Sequence, residues 1–301
     1  MSVVAVPARP ADSGAAIANI ALSVVLFACM DATVKWLSAD YSIVQLLFFR
    51  SVFALIPLAY LMHRSGGWSQ LKTRRPGLQL ARSAVGLVSM GALFLAFANL
   101  PLADAVAIAF AGPLFLTLLS IPFLGERVGP RRWAAVGVGF LGILLIARPG
   151  AGVFGLAALL PLIGALGSAV AMILVRHLSR TDTNAAIIFY HAVVCILATG
   201  AALPFFWTMP APGDWLPLIA LGVVGGTAQI FMTQAFRLGE VGAIAPFKYT
   251  SIVFAILFGY LVFGDVPDAW TLAGAVVVIA SGLYILHRET IRRRQALGAA
   301  G

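Results

Sequence analysis

The sequence predicts an all-α integral membrane protein of ten transmembrane helices, arranged as two inverted five-helix repeats (5+5) with both termini cytoplasmic. Three observations carry this prediction. Only 10% of the 301 residues are charged and 61% are hydrophobic, with a mean hydropathy of +0.99, whereas a soluble domain of this size needs about a quarter of its residues charged. Apolar runs long enough to cross a hydrocarbon core about 30 Å thick, roughly 20 residues each, recur along the whole chain. The two halves of the chain are also weakly similar. The net charge of +9 does not point to nucleic acid, because the basic residues sit in short gaps between apolar runs, where membrane topology places them.

Taken in order, residues 1–16 contain prolines, Arg9 and Asp12 and read as a disordered cytoplasmic head. The run that follows lacks a small-residue cleavage site and continues through Asp31 and Lys35, so it reads as a retained first span rather than a signal peptide. The spans are expected at 17–37, 42–62, 78–99, 102–122, 132–148, 153–175, 184–206, 215–237, 242–263 and 269–287. Pro101, in "NLPLAD", separates the third from the fourth, and Asn99 and Asp104 beside it are read as helix caps. Residues 17–150 form the first repeat, 151–288 the second, and 289–301 a basic cytoplasmic tail. One set of span ends carries Arg64, Lys72, Arg74, Arg75, Arg127, Arg131, Arg132, Arg176, Arg180, Arg237, Arg288 and Arg292 to Arg294. The other carries Asp40, Asp104, Asp214, Asp265 and Asp268, with Arg148 among the basic residues. Positive loops stay inside, which puts both termini in the cytoplasm of a multi-pass inner (plasma) membrane protein. Trp36, Trp133, Trp207, Trp215 and Trp270 fall at span ends and Trp68 in an inner loop, at the headgroup level indole prefers.

The similarity between the halves is local. "LLFFRSVFALIPL" aligns with "IIFYHAVVCILAT", and "FLGERVGPRRW" parallels "VFGDVPDAW" with a two-residue gap. The offset of about 140 residues equals five spans, so the second copy enters the membrane from the opposite side. Inverted repeats suit alternating-access transporters with a substrate site near the midplane. The "P-L-F…L-G-E…G-x-x-G" pattern of spans 4 and 5 and the "A-P-F-K-Y…F-G-D-x-P-D…G" pattern of spans 9 and 10 resemble the drug/metabolite transporter superfamily in its EamA-type branch. The resemblance covers residues 17 to 288. "FFRSVFA", "LARSAVGL" and "APFKYT" together are similar to the S-adenosylmethionine and riboflavin uptake permeases of that branch, which often carry Arg where Lys248 stands, a different geometry for the same charge. The branch also contains exporters, so the resemblance fixes neither cargo nor direction.

A charge inside the bilayer costs several kcal/mol and marks a functional hypothesis. Asp31 lies about 9 Å below the outer end of span 1 and Arg50 about 12 Å below that of span 2, at ~1.5 Å per residue. They read either as a structural ion pair or as charges exposed to a cavity. Lys35 reads as interfacial. Arg82, one turn into span 3, either snorkels to inner headgroups or faces inward, where a guanidinium suits a carboxylate or phosphate. His191 either packs or titrates, and Tyr190, Gln229 and Gln234 offer interhelical polar atoms. Lys248 lies about 9 Å into span 9, has no charged counterpart in the first copy, and follows Pro246, which frees a carbonyl and opens the helix. Pro113 makes a similar break in span 4. Glu126 and Asp265, in matching turns, read as structural, Cys29 and Cys195 as small packing residues, and glycines such as Gly86, Gly222 and Gly226 as close-packing surfaces.

The candidate substrate-binding residues are therefore Lys248, Tyr249, Arg50, Arg82, Asp31, His191, Tyr190 and Gln229, with Pro246 and Pro113 as cavity-forming breaks. No catalytic residue, metal site or cofactor is called for, since the sequence contains neither His-Glu-x-x-His nor Gly-x-Ser-x-Gly, and no phosphate-cradling Gly-Lys-Ser/Thr loop. The expected function is secondary transport of a small polar, zwitterionic or anionic metabolite by alternating access, such as uptake of an S-adenosylmethionine- or riboflavin-like compound. The alternative is export of amino acids, metabolites or drugs. The expected partners are a small-molecule substrate and the lipid bilayer. The sequence leaves open whether the protein works as a monomer or a homodimer.

Overall fold

The computed structural model describes residues 13–65, 67–124, 129–148, 155–238 and 247–298, and these contain helices and no strand. In chain order the helices are α1 (Ser13–Leu37), α2 (Ile43–Phe53), α3 (Leu55–Ser65), α4 (Pro76–Asn99), α5 (Leu102–Ala109) and α6 (Gly112–Leu124). They continue as α7 (Pro130–Ala147), α8 (Leu159–Leu178), α9 (Asn184–Ala202), α10 (Trp215–Leu238), α11 (Thr250–Phe263) and α12 (Ala269–Gly298). Among the described residues, eight helical stretches are long and apolar enough to cross a membrane. Two more apolar helices, Trp133–Ala147 and Thr250–Phe263, are shorter. The short fifth span is thus observed as expected. The described part of the ninth starts at Phe247, with one turn before α11, because 239–246 lies outside the described residues.

Two spans are built from two helices each, and proline chemistry accounts for both. Pro57 has no N–H to donate to the Phe53 carbonyl, and α2 gives way to α3 at Ala54. Likewise Pro113 cannot donate to Ala109, and the fourth span is interrupted at Phe110 and Ala111 before resuming in α6. The first of these breaks carried no expectation from the sequence; the second fell at Pro113, as expected. The ends also move: α1 takes in residues 13–16, which the sequence reading left in the head, and α12 carries the helix through the basic tail to Gly298.

The most extensive helix contacts are α1 on α10, α4 on α8 and α7 on α12. Next come α2 on α10, α4 on α9 and α6 on α8, followed by α2 on α9, α1 on α11 and α5 on α11. Buried apolar side chains from α1, α2, α4, α5, α6, α7, α8, α10, α11 and α12 form one continuous core, in which Leu46, Phe94, Phe97, Leu102, Ile108, Leu114 and Leu218 are almost wholly enclosed. The outward surface is apolar too, with Leu22, Ile56, Leu80, Val88, Leu141 and Val276 exposed. That is the arrangement a helix bundle in lipid requires, since lipid tails are as apolar as leucine. All six tryptophans are exposed.

The ends of the bundle are wired by polar side chains. On the acidic face, the Lys35 ammonium meets Asp265 at 3.2 Å, donates to the Leu100 carbonyl at 2.8 Å and lies over the Phe263 ring. The expectation of a plain interfacial lysine is therefore corrected: Lys35 clamps α1 to the loop after α11 and to the end of α4. Asn99 and Asp104 do not cap helices as expected. The Asn99 amide donates back to Leu95 within α4, and Asp104 is buried and accepts from Thr271 of α12 at 2.7 Å. The carboxylate was more use across helices than at the Pro101 turn, whose missing N–H already removes one orphan donor. Arg148 and Asp268 form a close ion pair, and Tyr41 donates to Asp214 at 2.6 Å. On the basic face, Asp182 receives Thr73, the Arg74 N–H and the Gln79 amide, tying the α3–α4 connection to the α8–α9 loop. Glu126 lies outside the described residues.

Candidate functional site

The charged residues of the sequence reading fall into two groups. In the first, α1, α2, α4, α9 and α10 converge. Asp31 of α1 and Arg50 of α2 act on each other electrostatically, but they do not form a bonded ion pair. Arg50 is deep in the molecule yet keeps accessible surface, and so does Asp31. The pair is therefore not wholly sealed into packing, although Arg50 Nε is enclosed. Helix α10 makes this approach possible. A side chain at Gly225 would strike the Met30 sulfur at 2.6 Å and come within 3.7 Å of Arg50 Nε, and one at Gly222 would strike Phe53 and the Arg50 carbonyl.

Arg82 does not reach for the headgroups. Its Nε and Nη1 are enclosed and have no hydrogen-bond partner among the described residues. Neighbouring Gln79 and Ser83 on the same face of α4 are also buried. One turn further, Gly86 lies flat against the His191 ring, where any Cβ would sit 2.9 Å from Cε1. His191 in turn lies 3.6 Å from the Cys195 sulfur, one turn along α9. Arg50 and Arg82 act on each other, and both act on His191 and Cys195. The structure thus brings Asp31, Arg50, Arg82 and His191 together. Cys195 and Gly86 belong to the same cluster. The sequence reading had set both aside as packing, and a neutral small residue carries no signal that would separate a neighbour of the charged cluster from a helix contact.

The second group stands apart. Lys248, in the single turn leading into α11, is deep, partly accessible and without a bonded partner among the described residues, and no other charge acts on it. Tyr249 is buried and stacks on Phe110 at the interruption of the fourth span, with ring centroids 4.7 Å apart and planes 25° from parallel. Its hydroxyl presses on Gly282 of α12 and has no hydrogen-bond partner among the described residues. Tyr190 is half-buried and meets Phe189 edge-on, and the half-buried Gln229 has a carbonyl that accepts from Thr233. Pro113 occupies the first turn of α6, where its carbonyl accepts from Thr117. Pro246 lies outside the described residues. Among the described residues no group of three His, Cys, Asp or Glu could hold a metal ion.

Chemically, the first group offers two guanidiniums with free donors, one carboxylate, an imidazole and a thiol inside the bundle. Such a set of donors and acceptors suits hydrogen bonding to a polar molecule. Comparison with known proteins adds identity. The sequence profile described as the EamA-like transporter family matches residues 14–148 and again residues 155–299. The pseudopaline exporter CntI of Pseudomonas aeruginosa (strain UCBPP-PA14) is 35% identical over 260 residues, covering 85% of this chain and 90% of that protein. An S-adenosylmethionine uptake transporter of Rickettsia conorii is 27% identical over 269 residues, covering 89% and 91%. A riboflavin transporter of Rhizobium johnstonii is 27% identical over 278 residues, covering 91% of each. A solved crystal structure superposes with a TM-score of 0.64 at 18% identity, covering 93% of this chain and 98% of that one.

Proposed function

Since this chain belongs to the EamA-like transporter family, we propose that it is a secondary transporter that moves a small polar, zwitterionic or anionic metabolite across the inner membrane by alternating access. The observation that carries this reading is the cluster of Asp31, Arg50, Arg82 and His191 inside the bundle, contributed by α1, α2 and α4 from one half of the chain and α9 from the other. Residues 17–150 and 151–288 are the two halves, and the helix pairing supports their equivalence. Counting α2 with α3 and α5 with α6 as single spans, exchanging each span for the one five places along turns α1–α10 into α4–α8. It likewise turns α2–α10 into α4–α9 and α1–α11 into α6–α8, and leaves α7–α12, α2–α9 and α5–α11 as they are. Five is odd, so the copies run in opposite directions, and the basic loop ends put both termini in the cytoplasm. No chemistry on the cargo is required of the protein.

The cargo is of the size and polarity of S-adenosylmethionine or riboflavin, and uptake is the direction that the "FFRSVFA", "LARSAVGL" and "APFKYT" segments favour. The 35% identity to an exporter favours a second reading, in which the same site loads from the cytoplasm. Counterflow in proteoliposomes, with S-adenosylmethionine, riboflavin and pseudopaline each preloaded in turn, tests the reading. Saturable accumulation of a labelled cargo that Arg82→Gln reduces at least tenfold supports it. Full flux in folded Arg82→Gln and Arg50→Gln variants would remove the cluster from the transport path. Rescue of an auxotroph then separates uptake from export.

A further inference from the structure

Arg50 and Arg82 bring two guanidiniums into one neighbourhood inside the bundle, and among the described residues Asp31 is the carboxylate that acts on Arg50. Arg50 Nε, Arg82 Nε and Arg82 Nη1 are enclosed without a hydrogen-bond partner among the described residues. A charged N–H taken out of water and left unpaired is costly, and breaking or omitting the partner of a buried charge is among the more destabilising arrangements a protein tolerates. Snorkelling does not relieve it, because these nitrogens are enclosed within the bundle. Nor does Asp31, which forms no bonded pair with either arginine. Two cations are thus held near each other with donors to spare. The surrounding surface is tailored to keep them so, with Gly225 clearing space beside Arg50 and Gly86 letting His191 lie flat one turn from Arg82. Guanidinium donors match the oxygens of carboxylate and phosphate groups.

We propose that Arg50 and Arg82 together form an oxyanion site that grips the carboxylate- or phosphate-type group of the transported molecule, so that cargo binding completes hydrogen bonds the empty protein leaves unmade. This rests on the transport reading above and deepens it: Lys248, on which neither arginine acts, is not part of the grip. Two sources of the same chemistry exist, a soluble cargo and an anionic lipid headgroup.

The test uses the full chain purified in detergent and compares melting temperatures in sodium chloride, sodium sulfate and sodium glutarate at equal ionic strength. Sulfate and glutarate are expected to raise the wild-type melting temperature by about 5 °C at saturation. The rise should vanish in Arg50→Gln and Arg82→Gln, survive in part in Arg82→Lys, which keeps the charge and guards against a folding defect, and persist in Lys248→Gln. No rise in the wild type, or an equal rise in all variants (an adventitious ion only), overturns the proposal. The same melts in nanodiscs of phosphatidylcholine or phosphatidylglycerol decide the source. Stabilisation by soluble anions in both supports the cargo; loss confined to phosphatidylglycerol gives the site to lipid and overturns it. Counterflow is scored separately, so a failed anion effect with intact flux refutes the oxyanion site and leaves the transport reading standing.

Discussion

At the residue scale, intramembrane charge was the signal that could be read from sequence, because each such residue must have a reason to be there. Asp31, Arg50, Arg82 and His191 were found that way, and the structure gathers them. Lys248 was found the same way, yet it sits outside the cluster. Depth along a helix says nothing about the azimuth a side chain takes in the bundle, and the segment holding Pro246 lies outside the described residues. Gly86 and Cys195 were legible as small residues and not as neighbours of His191, because that depends on which helix face they meet. The consequence is a ranking. Arg82→Gln is expected to lower kcat/KM for the cargo by at least tenfold. Lys248→Gln is expected to lower it less than threefold. Both would be measured as initial counterflow rates at matched protein content. An ordering with Lys248 the more damaging would return that lysine to the centre of the site.

At the element scale, the apolar helices and their approximate limits followed from hydropathy, eight of them long enough to cross a membrane and two shorter among the described residues, while the joints between them did not. Pro113 announced its break and Pro57 did not, although the same missing donor operates at both. The loop contacts escaped because they join residues far apart in the chain. Lys35 illustrates this: it stands where Arg176 stands in the second copy, "VKWLS" against "VRHLS", but its partners Asp265 and Leu100 are not local. Lys35→Met removes an ion pair, a hydrogen bond and a cation–π contact at once, and is expected to cost about 1–3 kcal/mol. Asp265→Asn removes only the partly exposed ion pair and should cost less than about 1 kcal/mol. Equilibrium unfolding in mixed micelles would measure both, and equal costs would reduce Lys35 to its charge. On the opposite face, burial pushes the Asp182 carboxyl up, but Thr73, Gln79 and the Arg74 N–H outweigh that and hold it below its ordinary 3.8. A depressed carboxylate contributes stability above its unfolded pKa and loses it as pH falls through the folded one. The gap in melting temperature between wild type and Asp182→Asn should therefore be constant above about pH 5 and close below about pH 4. A gap undiminished at pH 3 would mean that shape, not charge, docks the loop.

At the scale of the whole molecule, the proposed equivalence of the halves singles out one contact. The offset of 139 residues that aligns the turns at Glu126 and Asp265 also sets Phe110 against Tyr249, and these two rings stack on each other. A residue and its repeat counterpart can touch only where the two copies meet at their shared axis. Each ring sits at a break or an entry: Phe110 between α5 and α6, Tyr249 just before α11. On the transport reading, rocking of one half against the other would act on this stack. Tyr249 is held from behind by Gly282, where a Cβ would lie 1.9 Å from the hydroxyl and 2.9 Å from Cζ. Gly282→Ala should therefore push the ring off Phe110 and lower flux several-fold while the protein still folds. Tyr249→Phe removes the hydroxyl, which has no hydrogen-bond partner to lose among the described residues, and should itself be near neutral in stability. Combined, the two changes should recover much of the flux lost in Gly282→Ala, because the closest collision is gone and only the ring-carbon contact remains. A double-mutant cycle on counterflow rates reads that coupling directly. If the two substitutions act additively, Gly282 matters for α12 packing alone, and the stack is not the point on which the halves turn.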